Sequence, residues 1–418
     1  MPSTLVLLSL VVAAWLAAHV AFEWLGRRFM VLSGAEYLLL GILVGPQVSG
    51  LLTAETTGAF APFLTLALGW IGALVGAQFH LPSLLQVPAI AVRLAFTESG
   101  LALALVATAM AGILAGVLGV PLVSVALPAL ALGAVALPSA PAAAALASLG
   151  NRRSATLLQV QVTTAVEALV GIVILGILLS ALHPGGTRTS RPPTPTEWAV
   201  ISLAIGCLGG VLFHLFLGSE RHIDRLFVGL AGAVILVSGG AAYLHLSPLL
   251  PAMLVGAILV NTSGNRGEVR QVLSSVERPL YFVLLIFAGA LWSPPTQAWV
   301  LPVLLFVGVR LSAKLGAAWL AARSIGPHRP SPAWGLALLG HGGLGAALAL
   351  SYGLARHAPL ADLVFTAGIA SILITDGFSA RLAHRAVGRR DVASPPQPSA
   401  TAEGPERAPA IRQRSEER

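Results

Sequence analysis

Long apolar runs, separated by short polar breaks, follow one another along most of the chain. Each run is about 17 to 25 residues long, which is enough for an α-helix to cross the hydrocarbon core of a bilayer. We therefore predict an all-α polytopic membrane protein with thirteen transmembrane helices within residues 1–385. The predicted spans are residues 4–22, 30–46, 60–78, 94–118, 121–149, 154–182, 197–217, 223–242, 246–262, 279–293, 299–322, 332–353 and 360–380.

The composition supports this picture, because 56% of the 418 residues are hydrophobic and only 10% are charged. The mean hydropathy of +0.84 lies well outside the range of soluble domains. The main surroundings of such a chain are a lipid bilayer. We expect neither an enzyme active site nor a cofactor.

The net charge of +8 would suit nucleic-acid binding, but the positions of the arginines indicate a membrane topology instead. Up to residue 390, sixteen arginines follow odd-numbered spans and three follow even-numbered spans. Because cationic loops stay cytoplasmic, this asymmetry predicts an external N-terminus, a cytoplasmic C-terminus and an odd number of crossings. We expect the inner membrane of a bacterium and no nucleic-acid partner.

Two segments lie outside the predicted membrane body. Residues 183–198 are rich in proline, glycine and threonine, which predicts an irregular external connector. The tail, residues 386–418, has few bulky apolar side chains, so we expect it to be disordered in the cytoplasm.

The first apolar run lacks a basic leader and a small-residue cleavage site, which predicts a retained helix. Cys207 is the one cysteine and excludes an intrachain disulfide.

Two of the predicted spans contain residues that interrupt helices. In the fifth span, Pro138 and Pro141 each remove a backbone donor and leave carbonyl groups without helical partners. The twelfth span has a cluster of glycines around His341, at Gly340, Gly342 and Gly343. Close helix packing through small residues would explain the glycines alone. Two broken helices, seven spans apart, also fit a transporter built from inverted repeats, whose half-helix ends meet at the substrate site.

Ionisable side chains near the centres of the spans are few. Glu167 lies in the sixth span, and Thr163 and Thr164 precede it on the same helical face. The eleventh span holds Arg310 and Lys314 one helical turn apart. Snorkelling to the headgroups is one explanation, but charges at this depth usually pair and mark ion paths. We predict an ion pair of Glu167 with Lys314 that acts as a proton switch, in which a sodium ion or proton at the carboxylate releases the lysine, whose own proton can then leave.

Five stretches resemble segments of the cation/proton antiporters in the same order, in particular the monovalent cation:proton antiporter-2 group. They are "EYLLLGILVGPQVSGLL" (36–52), "LGWIGALVGAQFHLPSL" (68–84), "LSPLLPAMLVGAILVN" (246–261), "VERPLYFVLLIFAGALW" (276–292) and "LLGHGGLGAALALSYG" (338–353). The resemblance covers about residues 1–385. It implies a sodium/proton antiporter-like fold, with a dimerisation domain and a core domain that contains two crossed broken helices, and it implies a homodimer.

The resemblance also implies which residues bind the ion. In antiporters of this type the sixth helix carries two adjacent aspartates, and a lysine of the eleventh helix pairs with the first aspartate. The match of "AVEALVG" puts Glu167 at the first aspartate and Ala168 at the second, and a second match puts Lys314 at the lysine. Counting without a gap would instead bring Thr163 or Thr164 to the aspartate positions.

The chain departs from this family pattern at three places. The second aspartate is Ala168 under the first match and a threonine under the count without a gap, and Ser139 and an alanine stand where relatives have threonine and aspartate at the fifth-helix break. At the twelfth-helix break Leu344 replaces an acidic residue, and His341 stands where glutamine or arginine is common. These departures put two-proton exchange by an aspartate pair in doubt and leave exchange through Glu167 alone.

Two hypotheses follow from the sequence. In the first, a secondary active antiporter exchanges Na+ or K+ for H+ by alternating access, with Glu167 as the shared carboxylate and Lys314 as its partner. Its neutral ligands would be Ser139, Thr163, Thr164 and His341. In the second, an exchanger-like membrane protein lacks coupled transport and serves as a sensor, a scaffold or a carrier of another solute. His341 could also titrate as a pH gate, although a packed, hydrogen-bonded histidine is the commoner case.

Overall fold

The computed structural model describes residues 34–140, 155–183, 193–220, 222–295, 297–324, 332–355 and 358–388, and every regular element in these ranges is helical. The α-helices are α1 (Ala35–Val44), α2 (Ala54–Ala59), α3 (Ala61–Gly76), α4 (Leu81–Leu84), α5 (Ala89–Leu118), α6 (Leu122–Ala136), α7 (Ala155–Ala181), α8 (Pro195–Leu217), α9 (Ile223–Tyr243), α10 (Leu249–Thr262), α11 (Arg266–Ser275), α12 (Glu277–Leu291), α13 (Gln297–Ser324), α14 (Gly342–Leu354) and α15 (Ala361–Gly388). A 3-10 helix (Pro332–Leu338) precedes α14.

The helices confirm the predicted all-α membrane fold. In the described ranges, seven helical segments are long and apolar enough to cross a membrane: α5, α7, α8, α9, the α11–α12 segment, α13 and α15. Five shorter apolar helices, α1, α3, α6, α10 and α14, match five more of the predicted spans. The first predicted span, 4–22, most of the predicted external connector and nearly all of the predicted tail lie outside the described residues. Helix α15 continues to Gly388, so residues 386–388 of that segment are helical.

The helices pack in two groups. One group contains α5, α6, α7, α13, α14 and α15, and the other is built around α3, α8, α9 and α10. Helices α1 and α12 pack against each other at the border between the groups. The first group therefore combines two sets of three consecutive spans, and the middle span of each set is the one that the sequence predicts to be broken.

Small residues bring the helices of the second group into close contact. A Cβ atom added at Gly72 of α3 would collide with the Leu249 carbonyl of α10, and one added at Gly76 would collide with the carbonyl of Met253. In return, a Cβ atom at Gly256 of α10 would collide with the carbonyl of Ala73. Because backbone meets backbone along this contact, only glycine fits at the three positions.

The outward faces of several helices are strongly apolar. Exposed side chains on α8 and α9 include Leu208, Leu215, Phe216, Val228 and Leu236. Apolar groups on this scale remain stable on an outer surface when lipid chains rather than water surround them.

Candidate functional site

Both predicted helix breaks are present in the structure. Helix α6 ends at Ala136, and non-helical backbone follows over residues 137–140. Residues 339–341 are also non-helical and separate the 3-10 helix from α14. Pro138 lies in the first break, as predicted, whereas Pro141 lies outside the described residues.

The two breaks lie in direct contact. The backbone amide of Ala140 donates a hydrogen bond to the carbonyl of Gly340 at 3.2 Å. The hydroxyl of Ser139 donates to the carbonyl of Leu338 at 2.7 Å. Ser139, predicted as an ion ligand, therefore uses its proton to hold one break against the other.

The glycines of the second break stand where a side chain would collide with a neighbour. A Cβ atom at Gly340 would lie 2.7 Å from the carbonyl oxygen of Ala140. A Cβ atom at Gly342 would collide with the Cβ of Ala140, and one at Gly343 with the ring of Tyr281. Gly342 also has a φ of 68°, in the left-handed region that L-residues with side chains avoid. Gly340 and Gly342 are thus required by the crossing itself, and Gly343 by the packing of Tyr281 against it.

Arg310 of α13 satisfies the backbone carbonyls that the breaks leave without helical partners. Its side chain is fully buried. The acceptors are the carbonyls of Ala136 (from Nε, 3.0 Å), Leu339 (from Nη1, 2.8 Å), Pro138 and Gly340 (both from Nη2, 3.3 Å). Because a guanidinium presents five N–H donors in a planar fork, one side chain can bind the ends of both breaks at once. Arg310 therefore ties the two broken spans together.

Glu167 and Lys314 form an ion pair next to this crossing. The Nζ of Lys314 donates to Oε1 of Glu167 at 2.5 Å. The exposed fraction of the side chain is 0% for Glu167 and 1% for Lys314. Lys314 lies one turn after Arg310 on α13. The same helix therefore supplies both the lysine that pairs with Glu167 and the arginine that binds the carbonyls of the helix breaks.

A second carboxylate, Glu98 of α5, faces the same lysine. Its Oε1 lies 3.7 Å from Nζ of Lys314, and the side chain is 0% exposed. Neither oxygen of Glu98 has a hydrogen-bond partner in the described part of the chain. Sequence reasoning missed this residue, because the fourth span was predicted to begin at residue 94, whereas α5 begins at Ala89. The signal that could have found it is helical spacing in the sequence. Glu98 follows Ala91 and Ala95 on one helical face, and this is the face of α5 that is buried.

A third buried carboxylate, Asp376 of α15, was also missed by the sequence analysis. Its Oδ1 accepts hydrogen bonds from the backbone amides of His341 (2.8 Å) and Gly342 (3.4 Å). These amides open α14, so the carboxylate satisfies donors that a helix N-terminus leaves unpaired and stabilises its positive dipole end.

His341 is packed into the crossing by hydrogen bonds at its backbone and its ring. Its ring Nε2 lies 2.6 Å from the carbonyl oxygen of Val135 on α6. Because a carbonyl only accepts, Nε2 carries the hydrogen of this bond. The side chain is fully buried, and its position links the start of α14 to the end of α6.

The two predicted threonine ligands lie in different surroundings. Thr163 is fully buried and accepts a hydrogen bond from the side-chain amide of Gln159 at 3.1 Å. Gln159, which the sequence analysis did not single out, also donates to the carbonyl of Ala91 on α5 at 3.2 Å. Thr164 is only partly buried, and its hydroxyl donates to the carbonyl of Gln161 in its own helix at 3.0 Å. Of the two, Thr163 is the one on the buried face that carries Glu167.

The described residues of this buried cluster carry unequal numbers of positive and negative groups. Three carboxylates, Glu98, Glu167 and Asp376, stand against two cationic side chains, Arg310 and Lys314. All three carboxylates attract the guanidinium of Arg310 electrostatically. With every group ionised, the cluster holds one excess negative charge. A single proton or monovalent cation would neutralise it.

The helices and their connections match solved structures of a known transporter. A structure of the sodium proton antiporter MjNhaP1 from Methanocaldococcus jannaschii at pH 8 aligns with a TM-score of 0.68, covering 91% of this chain and 100% of that chain. This chain has the fold of a sodium/proton antiporter. A 3D EM map structure of the same antiporter aligns with a TM-score of 0.62, covering 91% of this chain and 98% of that chain. Sequence identity is 17% in both cases.

The antiporter fold confirms the fold that the five resembling stretches imply. No protein-family model matches the chain, and no curated protein matches its sequence. At 17% identity the likeness concerns the arrangement of helices. The chemistry of this site depends on this chain's own side chains.

Proposed function

We propose that the protein is a secondary active antiporter that exchanges a monovalent cation, Na+ or K+, for H+ by alternating access. The observation that carries this proposal is the fully buried pair of Glu167 and Lys314 beside the crossing of two broken helices. A buried pair pays heavily in desolvation and adds little stability by itself, so its presence deep in a transporter fold favours a transport role.

Glu167 is the group that takes either the cation or the proton in turn. A cation that reaches its carboxylate competes with the ammonium of Lys314, and a proton does the same by removing the negative charge. Thr163 can offer hydroxyl lone pairs to a bare cation from the same helix face, since its oxygen accepts only one bond from Gln159. Arg310 keeps the two breaks in register while these charges change.

The second helical group would serve as the fixed part against which the first group moves. We propose the inner membrane of a bacterium as its location, with an external N-terminus and a cytoplasmic C-terminus, because the arginines collect on one side. A homodimer formed through the second group is part of the same proposal. The exposed apolar faces of α8 and α9 support it, since they offer an area for a second copy as well as for lipid.

The test is the dissipation of an imposed pH gradient in proteoliposomes when Na+ or K+ is added. The wild type is compared with Glu167→Gln, and Glu36→Gln serves as a matched control. Glu36 is also a buried carboxylate, but it lies at the start of α1, a helix that contributes none of the cluster's charges. We expect cation-driven flux in the wild type and in Glu36→Gln, and none in Glu167→Gln. No flux in folded wild-type protein would favour the second hypothesis, an exchanger-like protein without coupled transport.

A further inference from the structure

We infer that Glu98 is a second anionic partner of Lys314 and takes over the ammonium when Glu167 binds the transported cation. The transport consequences of this inference rest on the proposed function, whereas the pairing of three side chains can be measured without transport. Lys314 would then move between two carboxylates and keep its proton throughout the cycle.

The geometry places the lysine within reach of both acids. Nζ of Lys314 is 2.5 Å from Oε1 of Glu167 and 3.7 Å from Oε1 of Glu98. The two glutamates come from different helices, α7 and α5, and both helices pack against neighbours in the first group. A small rotation about the end of the flexible lysine side chain is enough to exchange one contact for the other.

The state of the Glu98 carboxylate also points to a missing partner. Its two oxygens and Oε2 of Glu167 are buried and have no hydrogen-bond partner among the described residues. Buried polar atoms are nearly always hydrogen-bonded in folded proteins, and an unpaired carboxylate oxygen is especially costly. These oxygens belong to the two carboxylates that face the single ammonium of Lys314, so negative charge exceeds positive charge in this part of the cluster.

Asp376, the remaining carboxylate of the cluster, is already engaged. It accepts bonds from two backbone amides at the start of α14. Without Glu98, a lysine displaced from Glu167 would have no available anion among the described residues of the cluster and would have to release its proton. With Glu98 at 3.7 Å, the ammonium can stay charged.

This arrangement determines how many charges move in each cycle. Glu98, Glu167 and Lys314 together carry one excess negative charge when ionised. One monovalent cation bound at Glu167 neutralises the group, and so does one proton bound by the carboxylates. Because Lys314 gives up no proton, one cation moves in one direction for one proton in the other.

The first test measures thermal unfolding of the full chain in detergent for Glu98→Gln, Glu167→Gln and the double variant. If the two acids can replace each other, each single change leaves Lys314 with one carboxylate and lowers the Tm modestly. The double change strands a buried ammonium, so its Tm loss exceeds the sum of the two single losses. Additive losses would overturn the inference. As a control, Glu36→Gln combined with Glu167→Gln should give additive losses.

A triple variant keeps the inference testable if the double variant does not fold. Adding Lys314→Met to the double variant removes the stranded charge and should recover folded protein and most of the lost Tm. If the recovery does not occur, the lysine was not the group that the two carboxylates share, and the inference fails.

The second test measures cation-driven exchange by Glu98→Gln in proteoliposomes. Since the cation must now displace a lysine that has no second carboxylate, its half-saturating concentration should rise at least about tenfold, with a much smaller change in the maximal rate. An unchanged half-saturating concentration would overturn the inference. If the wild type exchanges ions but the Tm losses of the glutamate variants are additive, the inference about Glu98 is refuted and the proposed function stands. No exchange with a non-additive loss would refute the proposed function and leave the shared lysine in place.

Discussion

At the scale of single residues, the two buried cations of α13 have separate tasks that suit their chemistry. Arg310 binds four carbonyl groups of the helix breaks. Lys314 pairs with carboxylates. It is the one lysine in the chain, and the other 24 of the 25 basic residues are arginines. A planar fork is suited to several fixed acceptors, and a compact ammonium on a flexible stem is suited to changing partners. The two residues are therefore not interchangeable.

Arg310→Lys tests the first of these tasks. An ammonium has three donors and cannot reach four carbonyls spread over two breaks, so at least one buried acceptor loses its bond. We expect a loss of about 1–3 kcal/mol in the free energy of unfolding, or more if several acceptors are left unpaired. Denaturant or thermal unfolding measures it. Arg323→Lys, an exposed change near the end of the same helix, is the control, and equal losses for the two variants would contradict the assignment.

The contacts of His341 favour a structural role over that of a pH gate. Its ring donates to the Val135 carbonyl, and a glutamine amide can donate in the same way. We expect His341→Gln to keep the pH at which exchange is half-maximal, while His341→Phe lowers stability through the lost bond. Flux recorded as a function of pH checks the prediction. A clear shift of the half-maximal pH in the glutamine variant would mean that His341 titrates during transport.

At the scale of helices, the sequence predicted local features well. Proline and glycine disturb a helix wherever they stand, so both breaks could be located from Pro138 and the glycines near Gly342. Arg310 and Lys314 were visible because charges are rare in apolar spans. The partners of these side chains are long-range, and a single sequence does not specify which helices meet.

The depth of a residue within its helix was also predicted poorly from the sequence. Glu98 lies four residues from the predicted start of its span but nine residues from the observed start of α5 at Ala89. Asp376 lies four residues from the predicted end of the last span but twelve from the end of α15 at Gly388. Both acids therefore looked peripheral and are in fact buried. Helix ends extend past the apolar core of a span, because polar residues tolerate helical structure outside the hydrocarbon.

Gly342→Ala tests whether the crossing needs its glycines. The added Cβ would collide with Ala140, and φ at this position is 68°, so we expect a lower Tm and loss of exchange. Gly316→Ala in α13 is the matched control, since its Cβ would meet open space. Alanine in a helix interior is about 0.5–1 kcal/mol more favourable than glycine, so the control should keep or raise the Tm. Equal behaviour of the two variants would show that the crossing tolerates a side chain.

At the scale of the whole molecule, the charges and the packing groups fit one account. The buried ionisable side chains of the site belong to the first group, which holds both broken spans. Helices α7 and α10 are among the elements that join the two groups. The packing between the groups is less extensive than the packing within each group. Such an interface allows one group to move relative to the other while the site stays intact within its own group.

The most direct test of this account records cation uptake and proton release together in the same proteoliposomes, with the membrane potential clamped at zero and then at either sign. We predict one proton for each cation and a rate that does not respond to the potential, since the loaded site is neutral in both directions. Cation uptake without proton release, or no uptake by folded protein, would contradict the account.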